Sequence, residues 1–216
     1  MIRSTELLKP TEAAVVSGVE LSIVNHAIDR ALPPRVVHRG KGKGVSAEAC
    51  IYIAFYHHSA GKLTASERRF VIFDIDKRVE AAGEGPSQWA SFRRHCTVHH
   101  EFLDLNLESF WDQTHDRWTR YRAAREAVTT DNQVLGGTLV IAGTRIPVHD
   151  VAASVAAGLP MSRICEAYPS LGQEQIELAS LYARANPLQG RPPVQRPLSD
   201  AKVLSRHVVK RRRAEA

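Results

Sequence analysis

The sequence predicts a mainly α protein with small β elements, an α+β fold, and three observations carry that prediction. Apolar residues recur at helical spacing in several segments between residues 11 and 125. Strand-like pieces are short and gather around two turn signals, Gly136-Gly137 and Ala142-Gly143. The pattern stops where Pro187, Gly190, Pro192, Pro193 and Pro197 cluster, which places the end of the folded body near Asn186. With 216 residues and 44% apolar content, the chain can form one or two compact domains.

In order along the chain, Pro10-Thr11 opens a first helix with Thr11 as N-cap, and Ser17-Gly18 stops it. A second helix runs from about Ser22 to Arg30, with Ile23, Val24, Ala27 and Ile28 on its apolar side. Thr64-Ala-Ser-Glu67 is a capping box that starts a helix toward Ala82, and Gly83 to Pro86 breaks the chain after it. Thr97 to Leu105 is a candidate short strand. After Asn106 the spacing of Leu107, Phe110, Trp111, Thr114, Trp118 and Tyr121 predicts a helix, with an apolar face broad enough to serve as a dimer interface. Leu139 to Ile141 and Arg145-Ile146 are strand candidates. Three helices complete a trihelical unit: about 148–157 closed by Gly158, about 161–168 closed by Pro169, and 173–185.

Four regions follow from this reading. Residues 1–45 form a helix-turn-helix with a basic wing or loop, and 46–127 a helical connecting or dimerisation region. Residues 128–186 form the trihelical module, and 187–216 a basic, disordered tail.

The charge sharpens the division. The formal net charge is +6, and the segment from Arg191 onward alone holds eight basic and two acidic residues. The rest of the chain is formally neutral, which excludes a uniformly basic nucleic-acid coat. A second basic run, Arg30, Arg35, Arg39, Lys41 and Lys43, holds no acid. The longest apolar run, Ala49 to Tyr56, is far short of the ~18 residues of a membrane helix. The acid and bases among the first ten residues do not fit a signal peptide, so a cytoplasmic protein without a membrane partner is expected. Cys50, Cys96 and Cys165 are odd in number and widely spaced, as reduced thiols are, and Cys50 and Cys165 fall in apolar helical contexts typical of buried thiols.

The first two helices satisfy a helix-turn-helix template at several positions. Ala13 and Ala14 are small where the helices cross, Gly18 suits the turn, and Val19, Val24 and Ala27 are apolar where the second helix is covered. In a major groove the second helix offers Ser22, Asn25 and His26 to base edges. Arg30, Arg35, Arg39, Lys41 and Lys43 then face phosphates. The bland alternative is an ordinary helical hairpin beside a solvated loop.

Enzymatic readings are weaker. Arg39-Gly-Lys-Gly-Lys-Gly44 lacks the Gly-Lys-Ser/Thr ending of a nucleotide-binding loop. Asp74 and Asp76 superficially resemble a phosphatase nucleophile pair, but the capping box upstream argues for a helix, where they read as solvated surface acids. His57-His58, His95-Cys96 and His99-His100 lack the spacing of a metal site. No cofactor and no catalytic residue is expected.

Gly136-Gly-Thr-Leu-Val-Ile-Ala-Gly-Thr-Arg-Ile-Pro-Val148, with Gly158, Tyr168-Pro169 and the helix to Ala185, resembles the bacterial family called domain of unknown function 433 over about residues 131–185. Members resemble VapB-type antitoxins, encoded beside a small PIN-like ribonuclease toxin that they neutralise, and some carry an additional N-terminal helix-turn-helix. The resemblance therefore implies a PIN-like ribonuclease partner. Within the motif, Gly143 permits a turn with positive φ, and Thr144 and Arg145 read as structural residues of that turn. If the module meets DNA instead, Arg145 and Arg163 supply most of the attraction, because Glu174 and Glu177 oppose phosphate.

In the tail, Val203, Leu204, His207 and Val208 share one side of a helix, while Lys202, Arg206, Lys210 and Arg213 share another, with Arg211 and Arg212 adjacent. So short and charged a helix is marginal in water and should fold on a partner. Since PIN-like nucleases have carboxylate-lined active sites, these ten residues are the expected toxin contact. The resulting expectation is a homodimeric type II antitoxin that also binds its operator DNA. The rival is a stand-alone transcriptional regulator whose tail only adds DNA affinity, and a weaker third reading is a metal-dependent enzyme using the histidine clusters.

Overall fold

The computed structural model describes residues 6–40, 42–82, 89–100, 103–130 and 136–188. Lys41 and the expected toxin-binding residues of the tail lie outside the described residues. Among the described residues the protein is mainly helical with small antiparallel sheets, the α+β class that the pattern predicts.

The N-terminal part starts with β1 (Leu7–Leu8), α1 (Pro10–Ser17) and α2 (Leu21–Arg30). The cap of α1 is Lys9, not Thr11: Pro10, with fixed φ and no N–H, takes the first helical position, and the Lys9 amide donates to Glu12 Oε2 at 2.7 Å. Gly18 closes α1 at φ +72°, where its amide donates to the Ala14 carbonyl. The positive φ is what favours glycine there; a Cβ would also come within 2.8 Å of the Arg117 guanidinium, which would have to shift. A 3₁₀ turn at Pro34–Val36 leads into β2 (Val37–Arg39) and β3 (Lys43–Ser46). β3 is the middle strand of an antiparallel sheet in the order β1-β3-β2, with Leu8 opposite Val45 and Arg39 opposite Lys43. Arg39 and Lys43 thus stand on a hairpin whose second strand also pairs with β1, while Arg30 ends α2 and Arg35 lies in the 3₁₀ turn.

α3 (Ala49–His58) follows and is the centre of the larger core. Ala49 to Tyr56 are all buried, as an apolar run without polar alternation requires of a helix covered on every side. α4 (Ala65–Ala81) begins at the predicted capping box: the Glu67 amide donates to Thr64 Oγ1 and the Thr64 amide to Glu67 Oε2. The two aspartates on α4 separate as a helix demands, but only Asp74 is a surface acid, paired with Arg78. Asp76 is buried beneath Arg35, which corrects its reading as solvated. A short α5 (Trp89–His95), without a sequence signal, precedes a hairpin of β4 (Thr97–His100) and β5 (Leu103–Asn106) where one strand is expected.

α6 (Glu108–Glu126) carries the aromatic face. Trp118 and Tyr121 are buried in the chain's own core, Phe110 meets Phe55 edge-on at 5.7 Å, and Trp111 Nε1 donates to the Trp89 carbonyl at 2.8 Å. The face expected to form a dimer interface is therefore largely covered from within. The expected boundary at residue 45 does not divide cores either. Val24, Val36 and Val45 share one hydrophobic cluster with Ile51, Ile75 and Tyr121.

The module starts with β6 (Val128–Thr130), paired antiparallel with β7 (Leu139–Ile141). Arg145-Ile146 is not a strand; Gly143 at φ +75° turns the chain, the Ile141 amide donates to the Ile146 carbonyl at 3.0 Å, and Pro147 forms an isolated bridge to Val140. α7 (Val148–Ala156), α8 (Met161–Ala167) and α9 (Gln173–Ala185) follow at the expected positions. They enclose a second, smaller cluster of Ile141, Val148, Val151, Ile164, Leu171, Ile176, Ala179 and Ala183. α9 also packs on α1 and α6. There Tyr121 Oη donates to Glu12 Oε1 at 2.7 Å and accepts from Asn186 Nδ2 at 3.2 Å, so one phenol joins three helices. Among the described residues no helix is long and apolar enough to cross a membrane.

Candidate nucleic-acid interface

α1, the three-residue turn Gly18-Val19-Glu20 and α2 place one side of α2 against the core through Val24, Ala27 and Ile28. The opposite side presents Ser22, His26, Asp29 and Arg30 to solvent, with Asn25 half-buried beside them. Of the residues expected to read bases, Ser22 and His26 are thus exposed, one helical turn apart. Leu21, at the start of the helix, is also 42% exposed.

The expected phosphate contacts do not form one set. Arg35 turns inward. Its Nε donates to Asp76 Oδ2 at 3.0 Å, and its Nη2 reaches Asp76 Oδ1 and the Asp76 carbonyl. Tyr52 Oη approaches the same carboxylate at 3.5 Å. Burial works to lower the Arg35 pKa, but the hydrogen bond and charge of Asp76 outweigh it and hold the guanidinium in its charged form. Burial and the Asp76 charge push the Tyr52 phenol well above its ordinary range. Arg35 is therefore a core ion pair and leaves the list of phosphate contacts. Counting charge along the chain could not find this, because the partner lies 41 residues away.

Arg39 and Lys43 stand on the two strands of the hairpin and are exposed, but both face Asp29. Lys43 Nζ lies 2.8 and 2.9 Å from the Asp29 carboxylate oxygens, and Arg39 lies 3.8 Å from it. The Lys43 hydrogen bond holds the Asp29 pKa below its ordinary value. A run free of acids in sequence thus meets one in space, since the hairpin returns to the last turn of α2. Arg30 is exposed next to this pair.

In the module, Thr144 is the structural residue and Arg145 is not. Thr144 Oγ1 donates to the Ile141 carbonyl at 2.8 Å and accepts from the Ile146 amide at 3.1 Å, which closes the turn. Arg145 is exposed, and among the described residues no hydrogen bond joins its side chain to the turn. Arg163 pairs with Glu166 at 3.3 Å on α8.

Burial raises the pKa of the Cys50 thiol and, less strongly surrounded, that of Cys96, whereas Cys165 is only half-buried. His58 stacks on Phe110, and His99 Nδ1 lies 2.6 Å from Asp104. His57 lines an open groove against α2 together with Tyr56 and Arg68, three residues that sequence reasoning did not connect to the first helices. The capping box at Thr64 does place Arg68 in the first turn of α4, but nothing local places that turn beside His26.

The unit from β6 into α9, residues 128–183, matches the family described as Protein of unknown function (DUF433). Over its whole length the chain belongs to the same family as the uncharacterized protein y4eO of Sinorhizobium fredii, with 48% identity over 212 residues covering 96% of this chain and 95% of that one. The crystal structure of Rv2018 from Mycobacterium tuberculosis is similar over 79% of this chain and 95% of its own, at 18% identity and a TM-score of 0.34.

Proposed function

We propose that this protein is a cytoplasmic, VapB-type antitoxin that binds operator DNA through α1, α2 and the β2-β3 hairpin and neutralises a PIN-like ribonuclease through its basic tail. The observation that carries the DNA part is the exposed side of α2. Ser22 and His26 stand one turn apart there, and a hairpin bearing Arg39 and Lys43 rises at the end of the same helix. A helix presenting polar side chains, followed by a cationic two-stranded wing, is an arrangement suited to a major groove and its flanking phosphates. The toxin part rests on the charge excess after Arg191 and on the DUF433 module. In this reading homodimers place two copies of α2 on a two-fold operator.

The test compares the full chain with a chain ending at Pro187, in operator gel shift and in co-purification with the product of the neighbouring reading frame. Loss of the tail should abolish toxin binding and leave operator binding within about tenfold, the range that a lost nonspecific electrostatic contribution covers. The opposite pattern would reverse the assignment. A full-length protein that binds operator but has no nuclease partner would be a stand-alone regulator.

A further inference from the structure

An open groove lies beside α2. It has a volume of about 350 Å³ and is walled by Ser22, Ile23 and His26 of α2 on one side, and by Tyr56, His57 and Arg68 on the other. No carboxylate is part of this lining. Among the described residues, the groups that hold Arg68 in place are neutral. Its Nε donates to the Thr64 carbonyl at 3.3 Å, its Nη1 to the Tyr56 carbonyl, and its guanidinium lies 4.2 Å from the centre of the Tyr56 ring. Arg35, Arg78, Arg93, Arg120, Arg125 and Arg163 each meet a carboxylate instead.

A half-buried cation held rigid without a counter-charge is poised for an anion from outside, because its desolvation and ordering have already been met by the fold. The turn between α3 and α4 adds to the field. Lys62 is exposed on it, directly after Gly61, whose surroundings are open. Glu67, the one acid between His57 and Arg69, has an oxygen engaged by the Thr64 amide and hydroxyl.

We propose that this groove seats a backbone phosphate of the DNA that α2 reads, with Arg68 in its wall and Lys62 reaching the same phosphate strand from the adjoining α3-α4 turn, whose Ala60 also lines the groove. The proposal deepens the DNA-binding reading and rests on it. The residues expected to face bases, Ser22 and His26, form the opposite wall of the same groove, so a strand whose bases meet them carries its phosphates alongside. The β2-β3 hairpin then grips one side of α2 and the α3-α4 turn the other. Arg68 on the second side is free of the acid that Arg39 and Lys43 must give up on the first.

The experiment titrates the full-length protein onto labelled duplex from the region upstream of its own coding sequence, over a range of salt. Lys62→Gln should flatten the dependence of log K on log salt by ~0.9, the increment for one lost phosphate contact. It should also weaken binding several-fold on specific and random duplexes alike. Arg68→Gln should flatten the slope by a similar step. Because Arg68 also ties α3 to α4, Lys62→Gln is the decisive variant, checked by an unchanged thermal melt. Wild type that binds with a Lys62→Gln variant of equal slope and affinity overturns the groove assignment and leaves the DNA reading standing. Weakened binding with an unchanged slope also overturns it. Wild type that binds no duplex overturns both.

Discussion

The two hydrophobic clusters hold polar groups in opposite ways. The larger one, around α3, encloses charge. Arg35 and Asp76 pair across 41 residues, Tyr52 lies against them, and the Glu48 carboxyl is buried with its Oε2 unpartnered at the start of α3. The module keeps the ion pairs Arg163–Glu166 and Arg120–Glu177 outside and encloses eight aliphatic side chains. Long-range polar pairing orients the first cluster, whereas glycine and proline turns order the second. The first should therefore break at single charged residues, and the second at its turn.

The largest effect is expected at Arg35→Ala. It strands a carboxylate whose side chain is only 8% exposed, and removing one partner of such a buried pair costs about 3–5 kcal/mol. Urea denaturation measures this, and adding Asp76→Asn should recover much of it. A cost below about 1 kcal/mol would mean that the pair does not organise the cluster.

Glu48 comes next and works in the other direction. Burial pushes its carboxyl up to about 7 from an ordinary 4.5. Between those values the folded chain keeps a proton that the unfolded chain has lost. Stability therefore falls as pH rises through this window, and the penalty is complete above about pH 7. Glu48→Gln should stabilise the protein at pH 8 by ~2–3 kcal/mol and change little near pH 4, read by denaturation at both pH values. Equal effects at both would contradict the buried carboxylate as the cause.

The smallest effects separate two neighbours in the module. Thr144→Val removes both side-chain hydrogen bonds of the β7-α7 turn and should cost ~1–2 kcal/mol, seen as faster amide exchange over residues 141–148. Arg145→Gln, on an exposed side chain, should stay within about 0.5 kcal/mol. Reversal of that order would restore the structural reading of Arg145.

The same contrast explains what could be read in advance. α9 falls on its predicted residues, and Gly158 and Thr64-Glu67 punctuate helices where expected, because these signals act within one helical turn. β1 and β6 were missed: two or three residues become strands only when β3 and β7 come to lie beside them. The broad aromatic face of α6 pointed to a partner copy, yet α3, α5 and α9 of the same chain cover it.

For the candidate interface, the sequence by itself determined the turn at Gly18, the apolar side of α2 and the existence of a cationic stretch after it. Each depends on backbone conformation or spacing within a few residues. Only the tertiary structure decided which cations remain available. It turned Arg35 inward to Asp76, set Asp29 against Lys43, and brought Arg68 beside His26 in a groove with no acid among its described lining residues. Charge acts through space, and a linear count of residues does not contain the distances on which it depends.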